Sequence, residues 1–169
     1  PSASSVDAAD LMAFSQGGTP REGTGTQLTA MVQAAMFVPF ARVFQNATQS
    51  IPTASTEILT WNDKSDDNDT MWSAGSPTLL TIKTAGIYQA RASVAFSFNI
   101  TGQRLINIER IADNYVLGSV ASPSAGEARV FVVSDPFRLS VNDQIRVKVY
   151  QASGLTLTTY ASTEKSTFS

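Results

Sequence analysis

The densest set of groups that could do chemistry is a run of carboxylates, Asp63, Asp66, Asp67 and Asp69. Hard oxygen ligands crowded this closely suit calcium. A twelve-residue calcium loop starting at Asp63 would need glycine at its sixth position and glutamate at its twelfth. The chain offers Asn68 and Ala74 there. The spacing therefore favours solvated carboxylates in a loop between two strands over a metal site, and no cofactor is expected. Paired carboxylates could still hydrolyse a glycoside. The acids Glu57, Glu109, Glu127 and Glu164 lie in different segments, and no spacing brings two of them together. The chain has no histidine and no cysteine, which removes Ser-His-Asp and Cys-His nucleophile pairs and thiolate or imidazole metal sites. An enzyme is not expected. Asn46-Ala-Thr48, Asn68-Asp-Thr70 and Asn99-Ile-Thr101 fit the glycosylation acceptor pattern, but a Ser/Thr-rich chain produces such triplets by chance. Trp61, Trp72, Tyr88, Phe96, Phe98, Phe131 and Tyr150 have the rings to stack on a sugar; most are expected in a core or at a subunit contact. Phe96 and Phe98 fall on the apolar side of one strand, which favours core.

Behind these residues stands a chain of 169 residues, enough for one domain, or a domain with a short appendage. Hydrophobic residues make up 43%, a globular composition, while only 15% are charged. Twelve Lys and Arg against 14 Asp and Glu leave a net charge of −2, which argues against nucleic acid and against an anionic membrane surface. Stability has to come from packing, since no disulfide can form. The start, Pro1-Ser-Ala-Ser-Ser5, shows no signal-peptide pattern. The longest apolar stretch, Leu28 to Phe44, is broken by Thr29, Gln33, Pro39 and Arg42, so membrane insertion is not expected.

The pattern of the chain changes near residue 40. Residues 1–23 are small and polar, with Gly17-Gly18 and Pro20 as turn residues. Leu28, Met31, Val32, Ala35 and Met36 then fall at helical spacing and predict a helix from about Gly25 to Phe37. Thr24 and Gln27 have capping-box spacing, and Pro39 stops the helix. From Ala41 the period becomes two. Tyr88, Ala90, Ala92, Val94, Phe96, Phe98 and Ile100 share one face of a long predicted strand. Ile145, Val147 and Val149 alternate with Gln144, Arg146 and Lys148, while Tyr150 points the other way from the apolar set. Shorter runs are Arg42–Gln45, Ile58–Trp61, Leu79–Ile82, Leu105–Ile111, Val116–Val120 and Leu155–Thr159. Between Arg129 and Val133 neither face is polar, so this strand is expected to be buried on both sides, with Phe131 and Val133 at a subunit contact. Turns such as Ala85-Gly86, Thr101-Gly102, Asp135-Pro136 and Ser153-Gly154 separate the runs. Eight or more short strands so spaced predict an antiparallel sandwich, barrel or jelly roll.

The order of these signals over residues 41–169 resembles the complement-type globular head, the trimeric jelly roll shared with the tumour necrosis factor superfamily. The residues that carry the resemblance are Ala41-Arg-Val-Phe44, Ile58-Leu-Thr-Trp61, the acidic stretch ending in Met71-Trp72, and Leu80-Thr-Ile82. They continue with Ala85-Gly-Ile-Tyr88, Val94-Ala-Phe96, Leu139-Ser-Val-Asn-Asp143, Ile145-Arg-Val-Lys-Val149 and Ser166-Thr-Phe-Ser169. Members of that family run several apolar residues past the last motif, so the resemblance implies a final strand that is short or completed by something else. It also implies a homotrimer, and Tyr150, which breaks the alternation of its strand, joins Phe131 and Val133 as an expected interface residue. Separately, Asp10-Leu-Met-Ala-Phe-Ser-Gln-Gly-Gly-Thr-Pro-Arg21, followed by Gly25-Thr-Gln-Leu28 and Met31-Val32, resembles a segment near the start of bacteriophage fibre and appendage proteins.

Together these readings give a mostly β fold: an antiparallel jelly-roll β-sandwich over 41–169, preceded by an extended N-terminal arm and one short helix over 1–40. The expected role is a non-catalytic homotrimeric virion protein, a head or tail fibre or capsid decoration on the particle surface. Leu11, Phe14, Leu28, Met31, Val32 and Met36 would anchor it to a capsid or tail protein. The knob would face a host surface receptor or glycan, or stabilise the particle. Forty extended residues reach at most about 140 Å, which suits a short appendage. The alternative is a secreted complement-like or cytokine-like recognition head of a cellular organism.

Overall fold

The computed structural model describes residues 12–16, 19–23, 37–123, 129–161 and 166–169. The chain divides into two units, Pro1–Val38 and Pro39–Ser169. In the first, β1 (Met12–Gln16) and β2 (Thr19–Gly23) pair antiparallel, with Phe14 opposite Arg21. The two strands are separated in sequence by Gly17-Gly18, residue types that suit a two-residue hairpin link. The segment read from sequence as a plain extended arm is thus in part a hairpin. Leu11 lies outside the described residues, as does the expected helix up to Met36, with Leu28, Met31 and Val32.

The second unit begins with β3 (Ala41–Phe44), β4 (Ser50–Ile51), β5 (Thr56–Ile58), β6 (Asp63–Asp67), β7 (Leu79–Thr81), β8 (Gly86–Tyr88) and β9 (Arg91–Ala95). It continues with β10 (Gln103–Arg110), β11 (Tyr115–Pro123), β12 (Arg129–Val133), β13 (Phe137–Leu139), β14 (Gln144–Gln151), β15 (Leu157–Thr158) and β16 (Thr167–Phe168). One sheet runs β11-β10-β14, and β5 and β7 share the far edge of β14. The facing sheet runs β12-β9-β16-β3-β6. Every pair is antiparallel, and among the described residues the chain holds no helix.

Period-two alternation builds the core. On β14, Ile145, Val147 and Val149 point inward and are buried, while Gln144, Arg146, Lys148 and Tyr150 face out. Ile106 and Ile108 of β10 share one buried cluster with Val43, Val94, Val130, Val132 and Phe168 of the other sheet. Trp61, fully buried, stacks on Phe168 with ring centroids 5.8 Å apart. Burying each such large side chain is worth about 1.5–3 kcal/mol, so this ring pair fastens the last strand to the rest.

Three sequence expectations change here. The predicted long strand from Tyr88 to Ile100 is two strands, β8 and β9, followed by a loop; Phe98 is 69% exposed and Ile100 72%, not core. Alternation in a sequence continues past the point where a partner strand turns away, and only pairing tells the two apart. Asp63–Asp67, expected as loop, is β6, paired with β3. A charged strand at a sheet edge discourages further pairing there, which explains so polar a strand. Finally, β12 alternates in burial: Val130 and Val132 are inward, whereas Phe131 is 55% exposed and Val133 40%. Within one chain it is buried on one side only.

Candidate functional site

The strand registers define two ends of the sandwich. Gln103, Pro123, Gln151, Ala95 and Phe44 mark one, called the tip. Arg110, Gln144, Arg91, Val133, Ala41 and Asp67 mark the other, the base, which also holds Ser169.

The four aspartates do different jobs, Asp67 at the base and Asp63 level with Phe44 at the other end of β6. Asp67 accepts the backbone N–H groups of Met71 (2.8 Å) and Trp72 (3.1 Å) and pairs with Lys64 at 3.3 Å. It is therefore a brace for the turn after β6. Asp69 accepts from the Thr84 hydroxyl at 3.3 Å, and Asp63 from the Lys64 N–H at 2.8 Å. Asp66 is exposed on the edge strand. Among the described residues no three His, Cys, Asp or Glu side chains come together to hold a metal ion. Burial, followed by the charge of Asp69, pushes the Tyr88 phenol above its ordinary value; its hydroxyl donates to the Thr84 carbonyl.

On the outer face of the β11-β10-β14 sheet, register brings together what sequence distance hid. Glu109 lies opposite Arg146, and its carboxylate accepts from Arg146 Nε at 2.8 Å and from Lys148 Nζ at 3.0 Å. Arg146 also donates to Asn114 at 3.1 Å. Burial pushes the Glu109 carboxyl up, but hydrogen bonds from Lys148 and Arg146 and their charges outweigh it, holding it below the usual value. A glycosidase acid must keep its proton at neutral pH. Glu109 does the opposite: Arg146 and Lys148 favour its charged form.

The tip is organised by Arg104, a fully buried guanidinium that the sequence reading passed over. It donates to the carbonyls of Thr101 (2.9 Å), Gln103 (3.2 Å) and Asn99 (3.3 Å) and sits 6.0 Å from the centre of the Phe96 ring. Burial lowers its pKa. Gly102, at φ +72°, closes this turn, where a Cβ would collide with the Ala152 carbonyl. Thus clamped, the 97–102 loop displays Phe98 and Ile100, and Leu155 is exposed on a neighbouring tip loop. No sequence signal marks a lone arginine as a loop clamp; its burial depends on pairing with β14.

The sequence-derived interface residues fall on two different surfaces. Phe131 and Val133 share the outer face of β12 at the edge of one sheet. Gly118 of β11 approaches Val132 and Ser134 so closely that a Cβ would lie 3.2 Å from each, so β11 and β12 close the sandwich along this edge. Tyr115 and Val116 of β11 are exposed there as well. Tyr150, half-buried, lies on the outer face of the opposite sheet, level with Leu105 and Thr56. One chain does not bring Tyr150 and Phe131 together.

No family model and no curated protein matches the sequence. Solved structures do match. The globular domain of zebrafish complement 1qA superposes with a TM-score of 0.51 at 17% identity, covering 78% of this chain and 94% of that one. The fold is the complement and tumour necrosis factor type of jelly roll. Eiger, a tumour necrosis factor from S. frugiperda, gives 0.53 at 15% identity over 78% of this chain and 90% of its own. Murine APRIL gives 0.55 at 14% identity over 76% and 93%. The jelly roll read from the Gly86-Ile-Tyr88 and Leu139 to Val149 motifs is thereby established as fold.

Proposed function

We propose that the protein is a non-catalytic homotrimeric head displayed on a bacteriophage virion, attached through residues 1–40, with its tip turned outward. The observation that carries self-association is the pair of unlike outward patches. A ring of three needs a heterologous contact, in which one surface meets a different surface of the next copy. The Phe131/Val133 edge and the Tyr150 face, on opposite sheets, supply one of each. Virion placement is supported by the likeness of residues 10–32 to fibre leaders, with Leu11, Phe14, Leu28, Met31, Val32 and Met36 as the anchoring side chains against a capsid or tail protein. The Glu109 arrangement supports a role without catalysis.

Light scattering at micromolar concentration should return three copies, and Tyr150→Glu should split them, because an unpaired charge in an interface costs several kcal/mol. A monomer overturns the trimer. Removal of residues 1–40 should leave a β-rich trimer that no longer joins the particle. The second reading, a secreted recognition head of a cellular organism, is favoured by the animal origin of the matching structures. Immunogold imaging of phage particles separates the two.

A further inference from the structure

Three loops at the tip, 51–55, 97–102 and 152–156, are tied to one another by hydrogen bonds. The Ala54 N–H donates to the Gln151 carbonyl at 2.8 Å, and the Ala152 N–H to the Gln103 carbonyl at 3.1 Å. The Gly154 N–H donates to the Thr53 hydroxyl at 2.9 Å. On this platform Phe98, Ile100 and Leu155 are each at least 65% exposed. The three loops hold no Asp, Glu, Lys or Arg. Exposed apolar side chains elsewhere on the sandwich sit in register with charge: Ile87 with Arg138, Val133 with Arg91 and Val116 with Glu109. Apolar residues scattered singly on a surface need no explanation. Three of them on uncharged, cross-tied loops do.

The backbone of these loops is provided for from within. Every N–H from Ala152 to Leu155 has a partner: the Gln103 carbonyl, the Gln151 side chain, the Thr53 hydroxyl and the Ser153 hydroxyl. In the 97–102 loop the Ser97 N–H donates to the Thr158 carbonyl at 2.8 Å and the Thr101 N–H to Asn99 Oδ1 at 2.7 Å. Arg104 takes the Asn99 and Thr101 carbonyls from below. A surface loop can leave such groups to water. Lipid offers them no partner, so a loop that meets it must arrive already paired. The size of the patch points the same way. Three such side chains offer on the order of 100 Å² each, well under the roughly 800 Å² that each partner gives to a stable protein interface. A sugar would need polar atoms placed around it; Asn99 Oδ1 and Thr53 Oγ already accept within the loops, and the three exposed side chains carry no polar atom.

We propose that the tip is a docking surface for an uncharged lipid bilayer, with Phe98, Ile100 and Leu155 entering the boundary between headgroups and acyl chains. Among the described residues no helix is long and apolar enough to cross a membrane, so the contact is superficial. Binding comes from apolar burial alone, because the loops bring no cation for anionic lipid. The clamped backbone holds the side chains outward beforehand, which spares the cost of ordering them on arrival. The inference deepens the outward-turned tip of the proposed head. A trimer that ignores vesicles overturns it and leaves that reading standing; a monomer that binds them does the reverse.

The test floats the full chain with phosphatidylcholine vesicles. The protein should rise with them, and its partitioning should change less than about twofold between about 0.1 and about 1 M salt. Phe98→Ser with Ile100→Ser should weaken partitioning at least about tenfold, while Ile87→Ser, away from the tip, should change it less than about twofold. Phe98→Trp should show a blue-shifted emission on binding and be quenched by brominated lipid, over the constant signal of Trp61 and Trp72 in the parent chain. Should the double variant fail to fold, that quenching decides. A chain that stays out of the vesicles overturns the proposal, as does a loss with Ile87→Ser equal to that of the tip variant. Binding that needs phosphatidylserine and is released by salt overturns it too, since charge would then be the attraction. So does binding only to vesicles carrying lipopolysaccharide that the free polysaccharide displaces, which would make the ligand a sugar.

Discussion

The tip and the base of the sandwich are finished by opposite means. At the tip, buried polar side chains replace strand pairing. Gln49 accepts the Thr60 N–H and donates to the Ile58 carbonyl, at 2.9 and 2.8 Å. Gln151 donates to the carbonyls of Ile51 and Leu155 and accepts from Ser153, and Arg104 holds three carbonyls of the loop beside them. At the base, Met71, Leu80, Ile82 and Ile145 line a cavity of about 330 Å³. Polar side chains tied to several backbone groups favour one loop conformation, so the tip is built to hold a shape, with Arg104 Nε left without a partner. The base instead keeps apolar side chains around an open cavity.

Four variants probe this contrast, in decreasing order of expected effect. Phe168→Ala removes the ring that stacks on Trp61 and should cost about 3–5 kcal/mol in urea denaturation. The loss should fall on the base, with exchange at Ala41 and Arg91 accelerating before exchange at the tip. Arg104→Ala leaves the Asn99 and Thr101 carbonyls without their donor and should cost about 2–4 kcal/mol, with protection lost first in residues 97–102. If both variants loosened both ends equally, the two ends would be one cooperative unit and the contrast would fail.

Glu109→Gln isolates a smaller, pH-dependent contribution. The folded carboxyl is held below the unfolded value of about 4.3. Its stabilisation is therefore present above that pH and lost as pH falls through the folded value. At pH 7 the Gln variant should be less stable by about 1–2 kcal/mol, and the gap should close towards pH 3 in thermal melts. Least of all, Phe98→Ser with Ile100→Ser should shift stability by no more than about 0.5 kcal/mol, as expected for exposed side chains. A larger loss would mean that these two rest on a surface rather than being displayed.

The legible parts of the fold are those where pairing and alternation coincide. Ile145, Val147 and Val149 against Arg146 and Lys148 gave β14 both its strand and its inward face, and the motifs around it pointed to the jelly roll. The illegible parts depend on who the neighbour is. Phe98 alternates in phase with Phe96, yet the sheet has ended by then, and Thr159 bridges only Phe96. Asp63–Asp67 has no strand propensity, but β3 offers it an edge. Glu109 meets Arg146 and Lys148 only because β10 and β14 pair in one particular register. Phe131 and Val133 were marked by an excess of apolar residues; the structure keeps them on one outward face, while Tyr150 lies on the other sheet.

The two-residue β16 also sets a timetable. It is the keystone between the β12·β9 ribbon and the β3·β6 ribbon, yet it follows every other strand of the sandwich along the chain. Until Phe168 emerges, the back sheet exists as two separate halves, and Trp61 has no ring to cover it. Contacts between such distant parts of a chain form slowly, so the nascent protein spends its synthesis with an open seam along its core. Exposed strand edges of this kind invite aggregation. Slower translation would prolong that interval, and with it the need for a chaperone that shields strand edges.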